Sequence, residues 1–116
     1  MLRDLFLGFI QVHILFHAAE EPVYGIALMA ELERHGYAIG PGTLYPILHR
    51  LERQGYLRQD GQVVNGKVRK YYRITPAGQR ILARAQDQLR ELVGEVLPGP
   101  TPRGKRLLRG RAAKAR

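Results

Sequence analysis

Apolar positions recur along the first 97 residues with two different periods, and the points where the period changes set the order of elements. From Leu2 to Ala19 there is no proline, and Leu2, Leu5, Phe6, Phe9, Ile10, His13, Phe16 and His17 return at helical spacing. Leu7, Val12, Ile14 and Leu15 carry the apolar surface round most of the cylinder, so this first helix is expected to be buried on more than one side. Glu20-Glu21-Pro22 ends it, because the residue before a proline disfavours helical geometry. A second helix is expected from about Tyr24 to His35 on Ile26, Leu28, Met29 and Leu32, with Gly36 suited to the left-handed cap. Tyr37 to Pro41 then connects to a third helix that starts near Gly42 or Thr43. Pro46 is placed in its first turn, where a missing amide costs nothing. Leu44, Ile47, Leu48 and Leu51 form the buried stripe of that helix, and Gly55 marks its end.

After Gly55 the period becomes two. Tyr56–Val64 and Lys67–Ile74 flank Asn65-Gly66, a dipeptide with ready access to positive φ and hence a strong hairpin signal. Counting outward from the turn sets Leu57 opposite Ile74 with Tyr72 on the same side, so the base of the hairpin rests on the core and its tip projects. Thr75-Pro76 reads as N-cap and first residue of a fourth helix. There Leu82, Ala85, Leu89, Leu92 and Val96 fall three and four apart in alternation, a narrow seam of the coiled-coil kind that is expected to meet another chain. From Pro98 onward only Leu107 and Leu108 are apolar, too little burial to offset ordering entropy, and the segment is expected to be disordered.

Three helices, a hairpin and a final helix make a mainly α fold with a small β-hairpin (α+β): a winged helix-turn-helix over residues 1–75, a C-terminal dimerisation helix over 76–97 and a basic tail over 98–116. The 116 residues leave room for one core and no separate catalytic module. No cysteine is present, which removes disulfides, zinc ribbons and thiol nucleophiles and fits a reducing interior. The apolar stretch from Leu5 to Phe16 is broken by Gly8, Gln11 and His13 and falls short of a membrane span, so a cytoplasmic protein without membrane attachment is expected.

The net charge of +9 is unevenly spread. Seven of the basic residues lie in the tail, and the first 97 residues carry only +2. Within that body, Arg50–Arg84 holds nine basic residues against Glu52 and Asp60, whereas the flanking segments are both net negative. The basic segment coincides with the third helix and the hairpin, the two elements that a winged fold offers to the major groove and to the neighbouring backbone. Double-stranded DNA is therefore the expected partner. Arg50 and Arg53 lie three apart and can point the same way toward phosphates or a guanine edge. Thr43 and Tyr45 can offer hydroxyls near the helix start, where free amides add a weak anion site, and His49 shares the polar face. Lys67, Arg69 and Lys70 at the hairpin tip are expected to contact phosphate, setting affinity and register.

Several motifs taken together resemble the PadR family of transcriptional regulators. They are Tyr24-Gly25 at the start of the second helix, Pro41-Gly42-Thr43-Leu44-Tyr45-Pro46 entering the third, and Leu51-Glu52 followed by Gly55-Tyr56-Leu57. Arg69-Lys70-Tyr71-Tyr72-Arg73-Ile74-Thr75-Pro76-Ala77-Gly78 closes the wing, and the resemblance spans roughly Gly8 to Leu92. It implies a homodimer of winged-helix domains, commonly a repressor, released when a small molecule or stress signal changes the spacing of the recognition helices. It also implies dimerisation through a single C-terminal helix packed with the partner's first helix, which assigns Phe6 and Phe9 to the dimer contact. Phe6, Phe9 and His13 are the candidates to line an effector cavity. Some relatives stack flat aromatic ligands on a tryptophan of the last helix; this chain has no tryptophan, and its tail lies outside the family pattern.

The same residues admit other readings. His13 and His17 lie four apart, a spacing that can hold a metal on one helical face with Glu21 a turn further, but no other ligand set with metal spacing is visible. They are read as half-buried interface histidines, and no cofactor or metal is expected. An RNA-binding or ribosome-associated protein would share the basic charge, although single-strand recognition favours aromatic platforms on an open sheet. A winged-helix protein-interaction module is the second rival. An enzyme is not expected, since there is no phosphate loop, no nucleophile with a positioned base and no paired carboxylates.

Overall fold

Each change of period along the chain becomes an element boundary in the computed structural model, which describes residues 1–99. Helix α1 spans Leu2–Glu20, α2 Gly25–Arg34 and α3 Pro41–Arg53. Strands β1 (Leu57–Val64) and β2 (Lys67–Ile74) precede α4, Pro76–Val96. Beyond Gly99, the expected disordered tail lies outside the described residues. Residues 1–82 form one compact unit, and the described part of a second unit runs from Ala83 to Gly99.

The core of the first unit is assembled from every one of its elements. Ile10, Ile14, Leu15 and Ala18 come from α1, Leu28 and Leu32 from α2, and Leu44, Ile47, Leu48 and Leu51 from α3. Leu57 and Tyr72 close it from the hairpin, and Leu82 enters from α4. By length and composition α1 is apolar enough to cross a membrane, contrary to the reading of its interrupted apolar stretch. Its four core residues give that apolar character a use inside the fold.

Helix α3 starts earlier than the sequence suggested. Pro41 takes the first helical position, so Pro46 sits inside the helix rather than in its first turn. Its missing amide leaves the carbonyl of exposed Gly42 without the usual helical donor, a loss that solvent can make good.

The hairpin register is Leu57↔Ile74, Gln59↔Tyr72 and Val64↔Lys67, as counted from the turn. Asn65 and Gly66 adopt φ of 53° and 78°, the two positive values that a two-residue turn of this twist needs. Tyr72 is fully buried. Burial, with Glu52 and Tyr45 nearby, pushes its hydroxyl above the ordinary tyrosine value, while a hydrogen bond from Gln59 pulls the other way. The backbone of Tyr72 also pairs outside the hairpin: its amide donates to Val23 O at 2.7 Å, and Val23 N donates to Tyr72 O at 2.9 Å. This bridge ties the hairpin to the link between α1 and α2.

Thr75 caps α4 as the sequence suggests, its Oγ1 accepting from Gly78 N at 3.0 Å and donating to Gly55 O at 2.6 Å. The close join leaves no room at Gly78, where a Cβ would overlap the Tyr56 carbonyl and lie 2.7 Å from Ile74 Cγ1. Gly78→Ala is therefore expected to lower stability by about 1–3 kcal/mol, as overpacking does. Urea unfolding should show a lower midpoint with an unchanged slope.

Candidate nucleic-acid interface

The outer side of α3 follows from its buried stripe. At about 3.6 residues per turn, Gly42, Pro46, His49 and Arg53 run down the side facing away from the core. Thr43 and Arg50 lie on one flank, and Tyr45 and Glu52 on the other. His49, Arg50 and Arg53 are exposed, and among the described residues neither arginine is held in an ion pair.

Thr43 and Tyr45 are half-buried, and Tyr45 is packed hard against α2. A Cβ at Gly25 would lie 2.6 Å from Tyr45 Cζ, so the absence of a side chain at Gly25 is what lets the ring lie there. The ring in turn stands 6.3 Å from His49. The amides at the helix start contribute less than expected. Pro41 has none and Thr43 N bonds Gly40 O at 3.1 Å, which leaves Gly42 N without a helical acceptor.

The three hairpin cations do not form a single cluster at the tip. Lys67 adjoins the turn, whereas Arg69 pairs with Gln62 and Lys70 with Gly61 farther down the ladder. Strand alternation sends Lys67 and Arg69 to one face and Lys70 to the other. Lys67 and Lys70 are exposed, and Arg69 is half-buried with its guanidinium 4.2 Å above the Tyr24 ring. Tyr24 also meets Tyr71 edge-on at 5.2 Å. This stack was not legible in the sequence, because its partners are 45 residues apart; the aromatic at the start of α2 was the only available signal. Val63 and Val68, directly opposite each other near the turn, are also largely exposed and were not anticipated.

Helix α3 and the hairpin nonetheless line a common groove. Tyr45 and His49 form one side, Tyr24, Gly25 and Ile26 of the α2 start its floor, and Lys67, Arg69 and Lys70 the other side. Of the two acids in this basic segment, Asp60 is taken by Arg73 at 2.8 Å, and Glu52 accepts from Gln59 at 3.5 Å. Both are turned toward intramolecular partners.

The candidate dimer residues divide between the two units. In the first, Phe6 and Phe9 are half-buried, Phe6 lying 5.2 Å from Tyr37, and Leu82 belongs to the core of its own chain. In the second, Ala85 and Leu89 are half-buried, and Leu92 and Val96 are exposed together with Val93 and Leu97. The outer part of the seam thus carries the unpartnered apolar surface. His13 and His17 of α1 are joined by His35 at the end of α2, and Glu21 is not part of that group.

Comparison with known proteins agrees with this architecture. Residues 14–84 match a family model described as the transcriptional regulator PadR-like family. The transcriptional regulator Rv3488 of Mycobacterium tuberculosis is 48% identical over 98 residues, covering 84% of this chain and 92% of its own. Among solved structures, a PadR family transcriptional regulator from Eggerthella lenta superposes with a TM-score of 0.71 at 39% identity, covering 79% of this chain and 81% of its own. A PadR-like transcriptional regulator from Bacillus cereus gives 0.69 at 28% identity, with coverage of 83% and 98%.

Proposed function

Because the chain belongs to the PadR-like family of transcriptional regulators, which bind DNA and are not enzymes, we propose that it is a cytoplasmic homodimer that recognises a specific duplex sequence, represses transcription there and is released by an effector. The observation that carries this reading is the shared groove. Tyr45 and His49 of α3 line it together with Lys67, Arg69 and Lys70 of the hairpin, and Arg50 and Arg53 are exposed on the same helix beyond its edge.

In this reading the outer side of α3 enters the major groove. Gly42 and Pro46 present little bulk there, which lets the helix backbone come close to the duplex. Arg53 projects farthest from the core and reaches toward base edges, with Arg50 and His49 beside it. Thr43 takes a backbone phosphate from the flank, and Tyr45 braces the groove while its hydroxyl faces α2. Lys67 and Lys70 contact phosphate on either side of the wing. Arg69 is pre-oriented by its stack on Tyr24, which lowers the entropy cost of ordering that side chain. Leu92, Val93, Val96 and Leu97 meet the partner chain, together with Phe6 and Phe9 of its first helix.

Selection of bound sequences from random duplex DNA tests the reading. A palindromic site with half-sites about 10 base pairs apart, or a multiple of that, is the expected result. Enrichment of single-stranded RNA over duplex DNA in a parallel competition would favour the RNA-binding alternative. Lys67→Ala is expected to reduce the salt slope of DNA binding by about 1 per half-site and to weaken cognate and random duplexes alike. A change confined to the cognate sequence would make Lys67 a base reader instead.

A further inference from the structure

Three of the four histidines in this chain meet on the side of the fold formed by the end of α1 and the end of α2. His13 and His17 come from successive turns of α1, and His35 is the C-terminal cap residue of α2. One ring nitrogen of each lies within 4.8 Å of the others. Nothing about DNA recognition or core packing requires three imidazoles in contact, and the groove that faces DNA uses none of them.

The surroundings have the chemistry of a cation site. The Nε2 atom of His17 is buried and has no hydrogen-bond partner, a free lone pair or donor with nowhere to go. Glu31 Oε2 stands 3.7 Å from that nitrogen and 3.3 Å from His35 Nε2, while Arg34 holds the other oxygen of the same carboxylate. On its far side His17 turns Nδ1 toward Glu20 Oε1 at 3.9 Å, the outer carboxylate that often orients a metal-bound imidazole. His13 is flanked by Tyr37 at 5.1 Å, which shields one side of the cluster. Burial, then the neighbouring His35 and His17, hold His13 below the ordinary histidine range, with Glu31 opposing, so its ligating neutral form is favoured.

We infer that His13, His17 and His35, with Glu31 as fourth donor, bind one divalent zinc-class cation per chain. Three imidazoles and a carboxylate supply the four donors of a tetrahedral centre, and without thiolates the set favours a borderline divalent ion over a soft monovalent one. A tetrahedral ion needs its ligand atoms about 3.3 Å apart. The three nitrogens lie within 4.8 Å of one another and Glu31 Oε2 within 3.7 Å of two of them, so binding draws the side chains in around the ion. His35, 44% exposed, forms the entrance.

The site would pin the end of α2 to α1 just before the connection that leads into α3. Metal uptake can be read without any DNA. The full chain, stripped with chelator, is titrated with Zn2+ by calorimetry and with Co2+ by visible absorption. One equivalent per chain is expected, with the intense d–d bands of tetrahedral Co2+ and a rise in melting temperature on adding Zn2+. His35→Gln and His17→Gln should each weaken Zn2+ binding roughly tenfold or more and abolish the Co2+ bands. Glu33→Gln, an exposed acid on the other face of α2 from Glu31, should leave both unchanged. Because His35 is at the surface, its variant keeps the fold, and melting of the metal-free protein verifies this. No saturable binding at one equivalent, or wild-type affinity in His35→Gln, overturns the inference; so does an equal loss in Glu33→Gln. Loss of DNA binding alone would count against the regulator reading and leave the metal site standing.

Discussion

Tyr72→Ala is expected to destabilise the protein by about 3–5 kcal/mol, the range for removing a large buried aromatic, enough to take a domain of this size close to its unfolding midpoint. The ring is fully enclosed where the hairpin meets the helical core. Its loss would open a cavity beneath both strands that neighbouring side chains cannot collapse to fill. Tyr72→Phe separates the ring from the hydroxyl. The hydroxyl has one long hydrogen bond, from Gln59 Nε2 at 3.4 Å, so that variant should lose no more than about 1 kcal/mol. Denaturant unfolding of the two variants measures the difference. Near-equal losses would mean that the polar contact, not the packing, holds the hairpin down.

The second large effect concerns recognition. Arg50→Ala with Arg53→Ala is expected to reduce affinity for the selected operator by about 1–3 kcal/mol for each arginine that reads a base. Binding to random duplex should fall much less, by the loss of two phosphate-attracting charges at most. Both side chains are exposed and outside the core, so melting temperature should hardly move. Measured at one fixed salt concentration, equal losses on operator and random DNA would remove base reading from α3 and leave it a phosphate-binding element. A loss seen only for Arg53→Ala would fit its position directly opposite the buried stripe.

The elements were legible because each is written locally. The apolar stripe of α3, the Asn65-Gly66 turn and the Thr75-Pro76 start of α4 are all decided by neighbours within a few residues, and counting from the turn gave the Leu57↔Ile74 pairing. The start of α3 was misread because two prolines competed for one first turn, and Pro41, not Pro46, took it. Leu82 shows a different limit. It continues the spacing of Ala85, Leu89, Leu92 and Val96, but periodicity cannot say which chain a stripe packs against, and Leu82 enters its own core.

The candidate interface was legible to the level of elements and less so for individual side chains. Exposure of His49, Arg50 and Arg53 followed from the buried stripe. The division of Lys67, Arg69 and Lys70 between two faces required the pleat to be followed past the turn, and the stack of Arg69 on Tyr24 required the fold itself. The histidine cluster is the clearest case. Its first two members were visible at helical spacing, and the third stands 18 residues farther on, where only the packing of α2 against α1 brings it near.

The pairing of Val23 with Tyr72 gives the wing a mooring at the exit of α1. A hairpin held only by its own turn would swing freely about its root. With the bridge in place, the root of the hairpin and the residues that follow α1 are expected to keep a fixed spacing. Slow deuterium exchange at the amides of Val23 and Tyr72, compared with those beside the turn, is how that mooring would register.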